Sequence, residues 1–134
     1  MGKTRIGVIG LGSFCRNYHI PNLLHRSDID VTAVCDVSQD ALEARPEGLS
    51  VSRTFSNVHA LLDANLIDGL IVSTSNAAHF DVCKAALEHD VPVLVDKPIT
   101  VTVEHAEKLV TLSKSSDVLL QTAFTRHFMS STEY

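Results

Sequence analysis

The chain has 134 residues, of which 45% are hydrophobic and 20% are charged. This length suits a single domain, and this composition is typical of a folded globular protein rather than a disordered one. Sixteen acidic and eleven basic side chains give a formal net charge of −5, which argues against nucleic acid as a partner. No apolar run approaches the ~20 residues that a membrane-spanning helix needs.

The cysteines and histidines show none of the spacings that mark disulfide-rich or metal-binding proteins. The three cysteines have no C-x-x-C pair, and the seven histidines are scattered without H-x-x-x-H spacing. We therefore expect no metal and no disulfide framework. The first residues resemble neither a signal peptide nor a lipidation motif, so we expect a cytoplasmic protein.

Short apolar runs alternate with helical patterns along the whole chain. The predicted strands cover residues 5–9, 30–35, 51–55, 69–73, 92–95 and 118–123. The predicted helices cover about 13–25, with a kink at Pro21, then 37–45, a helix capped by Ser56, 76–89 capped by Asn76, and 103–114 capped by Thr102. Six strands separated by helices predict an α/β fold, a doubly wound parallel sheet of the Rossmann type.

A glycine-rich turn follows the first predicted strand, in the sequence Gly10-Leu11-Gly12-Ser13-Phe14-Cys15. Gly10 permits a tight turn, and Gly12 lets a pyrophosphate approach the backbone where a helix begins. Cys15 occupies the third position of this pattern, which usually holds Gly or Ala. Asp36 follows about 20 residues later, at the end of the second strand, where its carboxylate can accept hydrogen bonds from the adenosine ribose and repel a 2′-phosphate. The pattern favours dinucleotide binding over a tight turn beside an ordinary loop aspartate.

A second group of candidate residues follows the fourth and fifth strands. Asp96-Lys97-Pro98 lies at the carboxyl end of a predicted parallel strand, where ligands of open α/β sheets bind. A lysine partly shielded from water can donate or accept a proton near neutral pH. Without context, a solvated lysine beside a turn proline is the better interpretation. Likewise, Asn76 and His79 taken alone are better explained as a helix cap and a packed helix residue.

The order of these motifs resembles the N-terminal half of the Gfo/Idh/MocA oxidoreductases, which include glucose–fructose oxidoreductase and inositol dehydrogenase. The resemblance covers essentially the whole chain, and its most specific element is the Lys-Pro motif. It rests on the glycine turn, Tyr18-His19-Ile20-Pro21, Asp36, Thr74-Ser75-Asn76-Ala77-Ala78-His79, Asp96-Lys97-Pro98 and Phe124-Thr125-Arg126-His127-Phe128.

The resemblance implies NAD as the cofactor, with NADP less expected, and a catalytic role for Lys97. In the family this lysine contacts the cofactor and the substrate hydroxyl, and the Lys–Pro peptide bond is typically cis. The residues that we expect at the cofactor are Gly10, Gly12, Ser13, Phe14, Cys15, Asp36, Ser73, Thr74, Asn76, His79, Asp96, Lys97 and Arg126.

The chain departs from the family pattern at a few positions. Ser75 stands where the family usually has Pro, Ala123 where it has Gly, and Asp96 where it has Glu. The shorter Asp96 side chain has less reach toward the nicotinamide ribose. We interpret residues 1–123 as the Rossmann NAD(P)-binding domain. Residues 124–134 would begin the crossover to a second, substrate-binding domain that this chain lacks.

These features predict the cofactor-binding half of an NAD(P)-dependent oxidoreductase. It would transfer a hydride between nicotinamide and a hydroxyl-bearing carbon of a sugar or polyol, and the 134-residue chain alone would be inactive. The alternative is a non-catalytic dinucleotide-binding or redox-sensing regulatory module, because a fold does not determine its chemistry. Full-length family members are oligomers, but the association state of this chain is not predicted.

Overall fold

The computed structural model describes residues 2–130 and contains one sheet of six strands. The strands are β1 (Thr4–Ile9), β2 (Ile29–Cys35), β3 (Arg53–Phe55), β4 (Gly69–Val72), β5 (Val93–Asp96) and β6 (Leu120–Ala123). Their order is β3-β2-β1-β4-β5-β6, and all five neighbouring pairs are parallel. The winding direction reverses between β1 and β4, so the predicted doubly wound α/β fold is confirmed.

Among the described residues, five α-helices connect the strands and cover the two faces of the sheet. They are α1 (Ile20–Leu24), α2 (Gln39–Glu43), α3 (Val58–Asp63), α4 (His79–Glu88) and α5 (Val103–Ser116). One hydrophobic cluster joins Ile20 of α1 and Leu42 of α2 to the sheet. The other joins Leu61, Leu87 and Leu109 of the remaining three helices to the opposite face. β4 lies between these clusters and is buried throughout, as its uninterrupted apolar sequence indicates.

The helical segment after the glycine turn contains a π-helical turn, Cys15–His19, directly before α1. There the N–H of Ile20 bonds to the carbonyl of Cys15, five residues back instead of four. Pro21 has no N–H to offer the preceding turn. The predicted irregularity at Pro21 therefore takes the form of a wider turn just before the proline.

Two of the three predicted helix caps are wrong. Asn57, not Ser56, caps α3, because its extended backbone lets its Oδ1 accept hydrogen bonds from two N–H groups of the first turn. Asn76 caps no helix. It begins a tight 3-10 turn, Asn76–Ala78, and α4 starts only at His79. The predicted cap at Thr102 is confirmed, since its hydroxyl accepts a hydrogen bond from the N–H of His105.

The last predicted strand ends at Ala123 as expected, and a 3-10 turn, Thr125–Phe128, follows it. The final part of the predicted crossover, residues 131–134, lies outside the described residues. Within residues 2–130, no helix is both long enough and apolar enough to span a membrane.

Candidate active site

Two adjoining cavities form a cleft along the carboxyl edge of the sheet. The large cavity, about 470 Å³, is lined by Gly10, Gly12 and Asp36 among others. The second, which we call the lysine cavity, measures about 290 Å³ and includes Lys97. Ser73 and Thr74, at the end of β4, line both cavities. The cleft therefore runs across the point where the winding of the sheet reverses, which is the usual ligand site of this fold.

The glycine turn brings the end of β1 against the end of β4. Gly10 has φ +89°, and a Cβ at this position would lie 2.4 Å from the carbonyl oxygen of Ser73. Only glycine fits there without moving the backbone. Gly12 has no heavy atom within 4 Å of an added Cβ, so its backbone faces open space at the start of the helical segment. This geometry suits a phosphate group that approaches the main chain.

Asp36 provides a fixed carboxylate in the large cavity. Its Oδ2 accepts a hydrogen bond of 2.8 Å from the N–H of Leu11 in the glycine turn. Its Oδ1 accepts another of 2.8 Å from the N–H of Ser38. Each carboxylate oxygen has a further acceptor site, so Asp36 can still receive hydrogen bonds from ligand hydroxyls. The sequence predicted its position, whereas its anchoring by the glycine turn is a finding of the structure.

The remaining walls of the large cavity were missed at the sequence level. Val37, Val58 and Val82 supply apolar surface, and Ser56 and Asn57 supply polar groups at the end of β3. For all of these residues except Val82, which lies within α4, the available signal was the one used for Asp36, because residues that closely follow parallel strands lie along the same edge of the sheet. Apolar walls with a few fixed polar groups are typical of small-molecule sites.

Lys97 lies at the other end of the cleft. The peptide bond between Lys97 and Pro98 is cis, as the resemblance implied. Lys97 is exposed, and it lines both the lysine cavity and a third cavity of about 330 Å³. Arg126 lies on this third cavity and on neither of the other two, so it is placed beyond the lysine from the glycine turn.

Asp96, directly before Lys97, is held by two side chains that are distant in sequence. Nε2 of His19 lies 2.6 Å from Oδ1 of Asp96, and the hydroxyl of Ser73 donates to Oδ2. Burial alone would raise the pKa of Asp96, but hydrogen bonds from His19 and Ser73 outweigh it and lower the pKa below its usual value. The sequence motif contained His19 but gave it no role. The one sequence feature that could have indicated a role for His19 was its position one turn after Cys15, on the same helix face.

Two residues that we expected at the cofactor are buried away from the cleft. His79 has no exposed surface, and its Nδ1 and Nε2 lie 2.7 Å and 3.2 Å from the carbonyl oxygens of Pro98 and Thr74. Cys15 is also fully buried, and burial, with the nearby charges of Asp96 and Asp36, raises the pKa of its thiol to about 12. Neither side chain lines the cleft: His79 connects two loops beneath it, and Cys15 packs the helical segment onto the sheet.

The other predicted site residues divide between exposed and cleft positions. Phe14 and Asn76 line the lysine cavity, and the Phe14 ring lies 4.8 Å from that of Tyr18 and 5.3 Å from that of His19. Ser13 is exposed at the start of the helical segment but lines neither cavity.

Among residues 2–130, no group of three His, Cys, Asp or Glu side chains is arranged to hold a metal ion.

A glycine turn at the reversal point of a doubly wound sheet, with a carboxylate after the second strand, defines the class of dinucleotide-binding domains. The comparisons identify the family. The model described as "Oxidoreductase family, NAD-binding Rossmann fold" (Gfo/Idh/MocA) matches residues 4–124, and the chain belongs to this family.

Two relatives and one solved structure illustrate the similarity. Over 124 residues the chain is 31% identical to a myo-inositol 2-dehydrogenase of Thermotoga maritima, covering 92% of this chain and 37% of that protein. It is 35% identical over 124 residues to a dTDP-3,4-didehydro-2,6-dideoxy-alpha-D-glucose 3-reductase of Streptomyces antibioticus, with the same coverage of 92% and 37%. A crystal structure of a probable dehydrogenase from Thermotoga maritima matches with a TM-score of 0.86 at 31% identity, again over 92% and 37%. The chain thus spans little more than a third of the length of these relatives.

Proposed function

We propose that this chain is the cofactor-binding part of an NAD-dependent dehydrogenase that acts on a hydroxyl-bearing carbon of a sugar or polyol. The family to which it belongs is an NAD-binding oxidoreductase family. The observation that carries the proposal is the continuous cleft with Asp36 lining one cavity and Lys97 the other, joined by Ser73 and Thr74.

The large cavity is the proposed site of the adenosine moiety. The carboxylate of Asp36 would accept hydrogen bonds from the ribose hydroxyls, and Val37 and Val58 would contact the base. A 2′-phosphate would meet the negative charge of Asp36, which supports NAD over NADP. The open backbone at Gly12 fits the pyrophosphate, and the lysine cavity would then receive the nicotinamide.

Lys97 is the proposed catalytic residue. When bound, NAD(H) supplies the hydride acceptor or donor. The amine of Lys97 would hold the substrate hydroxyl and take its proton during oxidation, or return it during reduction. The protein's other contribution is to orient the reacting groups, which accounts for a large part of the rate of such reactions.

The substrate class rests on the relatives. One is named as a myo-inositol dehydrogenase and another as a reductase of a deoxy-glucose nucleotide, and both names specify rings that carry oxygen functions. We propose that residues 1–123 form the NAD-binding domain and that residues 124–134 begin a crossover toward a substrate-binding domain. Arg126, on the third cavity beside Lys97, would face that side of the site.

Binding and turnover test the proposal separately. NADH titrated into the 134-residue chain should bind, with NMR shifts at the amides of Gly12, Asp36 and Thr74. Turnover of NAD with cyclic polyols is expected only after fusion to the second domain of the 31% identical myo-inositol 2-dehydrogenase. A chain that does not bind NADH would contradict the proposal. NADH binding without turnover in a folded fusion would favour the regulatory alternative.

A further inference from the structure

The turn that carries Lys97 is held from three separate elements of the fold. His19, at the end of the π-helical turn, and Ser73, after β4, bond to the two oxygens of Asp96. His79, the first residue of α4, bonds through Nδ1 to the carbonyl of Pro98. Lys97 therefore lies between two residues whose polar groups are fixed by other elements of the fold.

The chemistry of Asp96 determines the direction of its bond to His19. Its hydrogen bonds lower its pKa, so Asp96 is a carboxylate at neutral pH and can only accept hydrogen bonds. Nε2 of His19 must therefore be the donor across the 2.6 Å distance. Both side chains are largely shielded, with 14% of His19 and 15% of Asp96 exposed, so water competes little for this bond.

The location of His19 links this bond to both cavities of the cleft. The helical segment that carries His19 begins at the glycine turn, where Gly12 faces open space, and its Phe14 lines the lysine cavity. The same segment thus contacts both halves of the cleft. Each oxygen of Asp96 already accepts a hydrogen bond from within the fold, so Asp96 is anchored before any ligand binds.

We propose that His19 is a positioning residue: by holding Asp96, it fixes the direction of the Lys97 amine relative to the segment that follows the glycine turn. This inference rests on the proposed function of Lys97. It assigns His19 no direct contact with substrate or cofactor, so its loss should affect the alignment of Lys97 more than the affinity for NADH.

Two substitutions of His19 give a sharp test, because they place an amide donor at different distances from the backbone. In His19→Gln the side-chain nitrogen reaches about as far as Nε2 of histidine, whereas in His19→Asn it falls short of Asp96. In the fused enzyme we expect His19→Asn to lower kcat on the order of 10–100-fold, with the KM for NAD changed less than about threefold. His19→Gln should restore kcat to near the wild-type value. The matched control is His25→Asn, because His25 is exposed and its ring bonds to the carbonyl of Pro21 instead.

A second measurement does not depend on turnover. In the 134-residue chain, NMR titration of the Asp96 carboxyl should show a higher pKa in His19→Asn than in His19→Gln or wild type. If the wild-type chain fails to bind NADH, the proposed function falls, whatever the Asp96 titration shows. If the wild type binds NADH and the fusion turns over, an unchanged kcat in folded His19→Asn overturns this inference alone. If His19→Asn does not fold, His19→Leu replaces it, and the same results for its Asp96 titration and its kcat support or overturn the inference.

Discussion

The two ends of the cleft hold a carboxylate in different ways. Asp36 is bound by main-chain N–H groups, those of Leu11 and Ser38, within or next to the strand ends. Asp96 is bound by side chains, those of His19 and Ser73. Main-chain N–H donors are present for every residue type except proline, provided that the backbone conformation is kept. Side-chain donors exist only while the particular residues are kept.

This difference divides the site into a part set by backbone geometry and a part set by residue identity. The end with Asp36, where we propose that the dinucleotide binds and which we call the dinucleotide end, depends on whether the glycine turn can form, which Gly10 determines. The lysine end depends on a network whose members come from three elements of the fold. Substitutions at the two ends should therefore have different effects. At the dinucleotide end they should lower stability and cofactor affinity, and at the lysine end they should lower turnover.

Lys97→Ala should produce the largest effect, and the effect should be confined to the lysine end. In the fused enzyme we expect kcat to fall by roughly 10²–10⁴-fold, the usual range for a proton-transfer group, while NADH affinity changes only a few-fold. Steady-state kinetics and a binding titration measure the two quantities. Lys84→Ala, on the exposed side of α4, is the matched control. An equal loss of affinity and kcat would instead make Lys97 a cofactor contact.

Gly10→Ala should damage the dinucleotide end through the backbone. The added Cβ would lie 2.4 Å from a main-chain oxygen at φ +89°. We expect the free energy of unfolding to fall by about 3 kcal/mol, measured by urea denaturation. Gly48→Ala is a matched control, because Gly48 has φ +84° but open space around it. In Gly48→Ala the backbone conformation alone should lower the free energy of unfolding by about 1 kcal/mol. Equal losses for the two variants would show that the contact with Ser73 does not matter.

Asp36→Ser should narrow the preference for NAD over NADP, because it removes the charge that repels a 2′-phosphate. We expect the ratio of the two affinities to fall by about tenfold, or about 1.4 kcal/mol. Calorimetric titration of the 134-residue chain with both cofactors measures this ratio. Asp40→Ser removes a charge from exposed α2 nearby and should leave the ratio unchanged. Tighter binding of NADP than NAD by the wild type would contradict the assignment of Asp36.

The smallest expected effect is on stability at low pH. The pKa of Asp96 is lowered in the folded chain, so the unfolded chain takes up the proton first as the pH falls. The contribution of Asp96 to stability is therefore complete above about pH 5 and is lost as the pH falls through its folded pKa. We expect Asp96→Asn to be less stable than wild type by about 1 kcal/mol at pH 7, with the difference shrinking toward pH 3.

Urea denaturation across this pH range tests whether the stability difference between Asp96→Asn and wild type shrinks toward low pH. Glu107→Gln, on the exposed face of α5, is the control and should show no such convergence with wild type. A gap between Asp96→Asn and wild type that widens toward acid would mean that the carboxylate of Asp96 is destabilising in the fold.

Much of the fold was predictable because local signals and the global topology agree. Continuous apolar runs indicated buried parallel strands, and their alternation with helices indicated the doubly wound sheet. Helix ends were less predictable. Ser56 and Asn57 are both good caps in adjacent positions, and only the backbone of the folded chain shows which one reaches the free N–H groups.

The sequence by itself determined the dinucleotide end of the site. Gly10, Gly12 and Asp36 follow strands at a fixed spacing, and residues after parallel strands must meet at one edge of the sheet. The motif of Lys97 also predicted its cis bond to Pro98, through the resemblance. In each of these cases the position along the chain fixes the position in space, because the backbone of a strand and its following turn has few alternatives.

Only the tertiary structure decided how the lysine end is assembled. His19 and Asp96 are separated by 77 positions, and His79 and Pro98 by 19. The one local signal, the position of His19 one turn after Cys15, did not show that His19 holds Asp96 or that His79, which was expected at the cofactor, lies buried beneath the cleft. Both are histidines on helices near the same edge. Which ring bonds to the Asp96 carboxylate and which bonds to main-chain carbonyls depends on side-chain packing between separate elements, and that packing exists only once the sheet has formed.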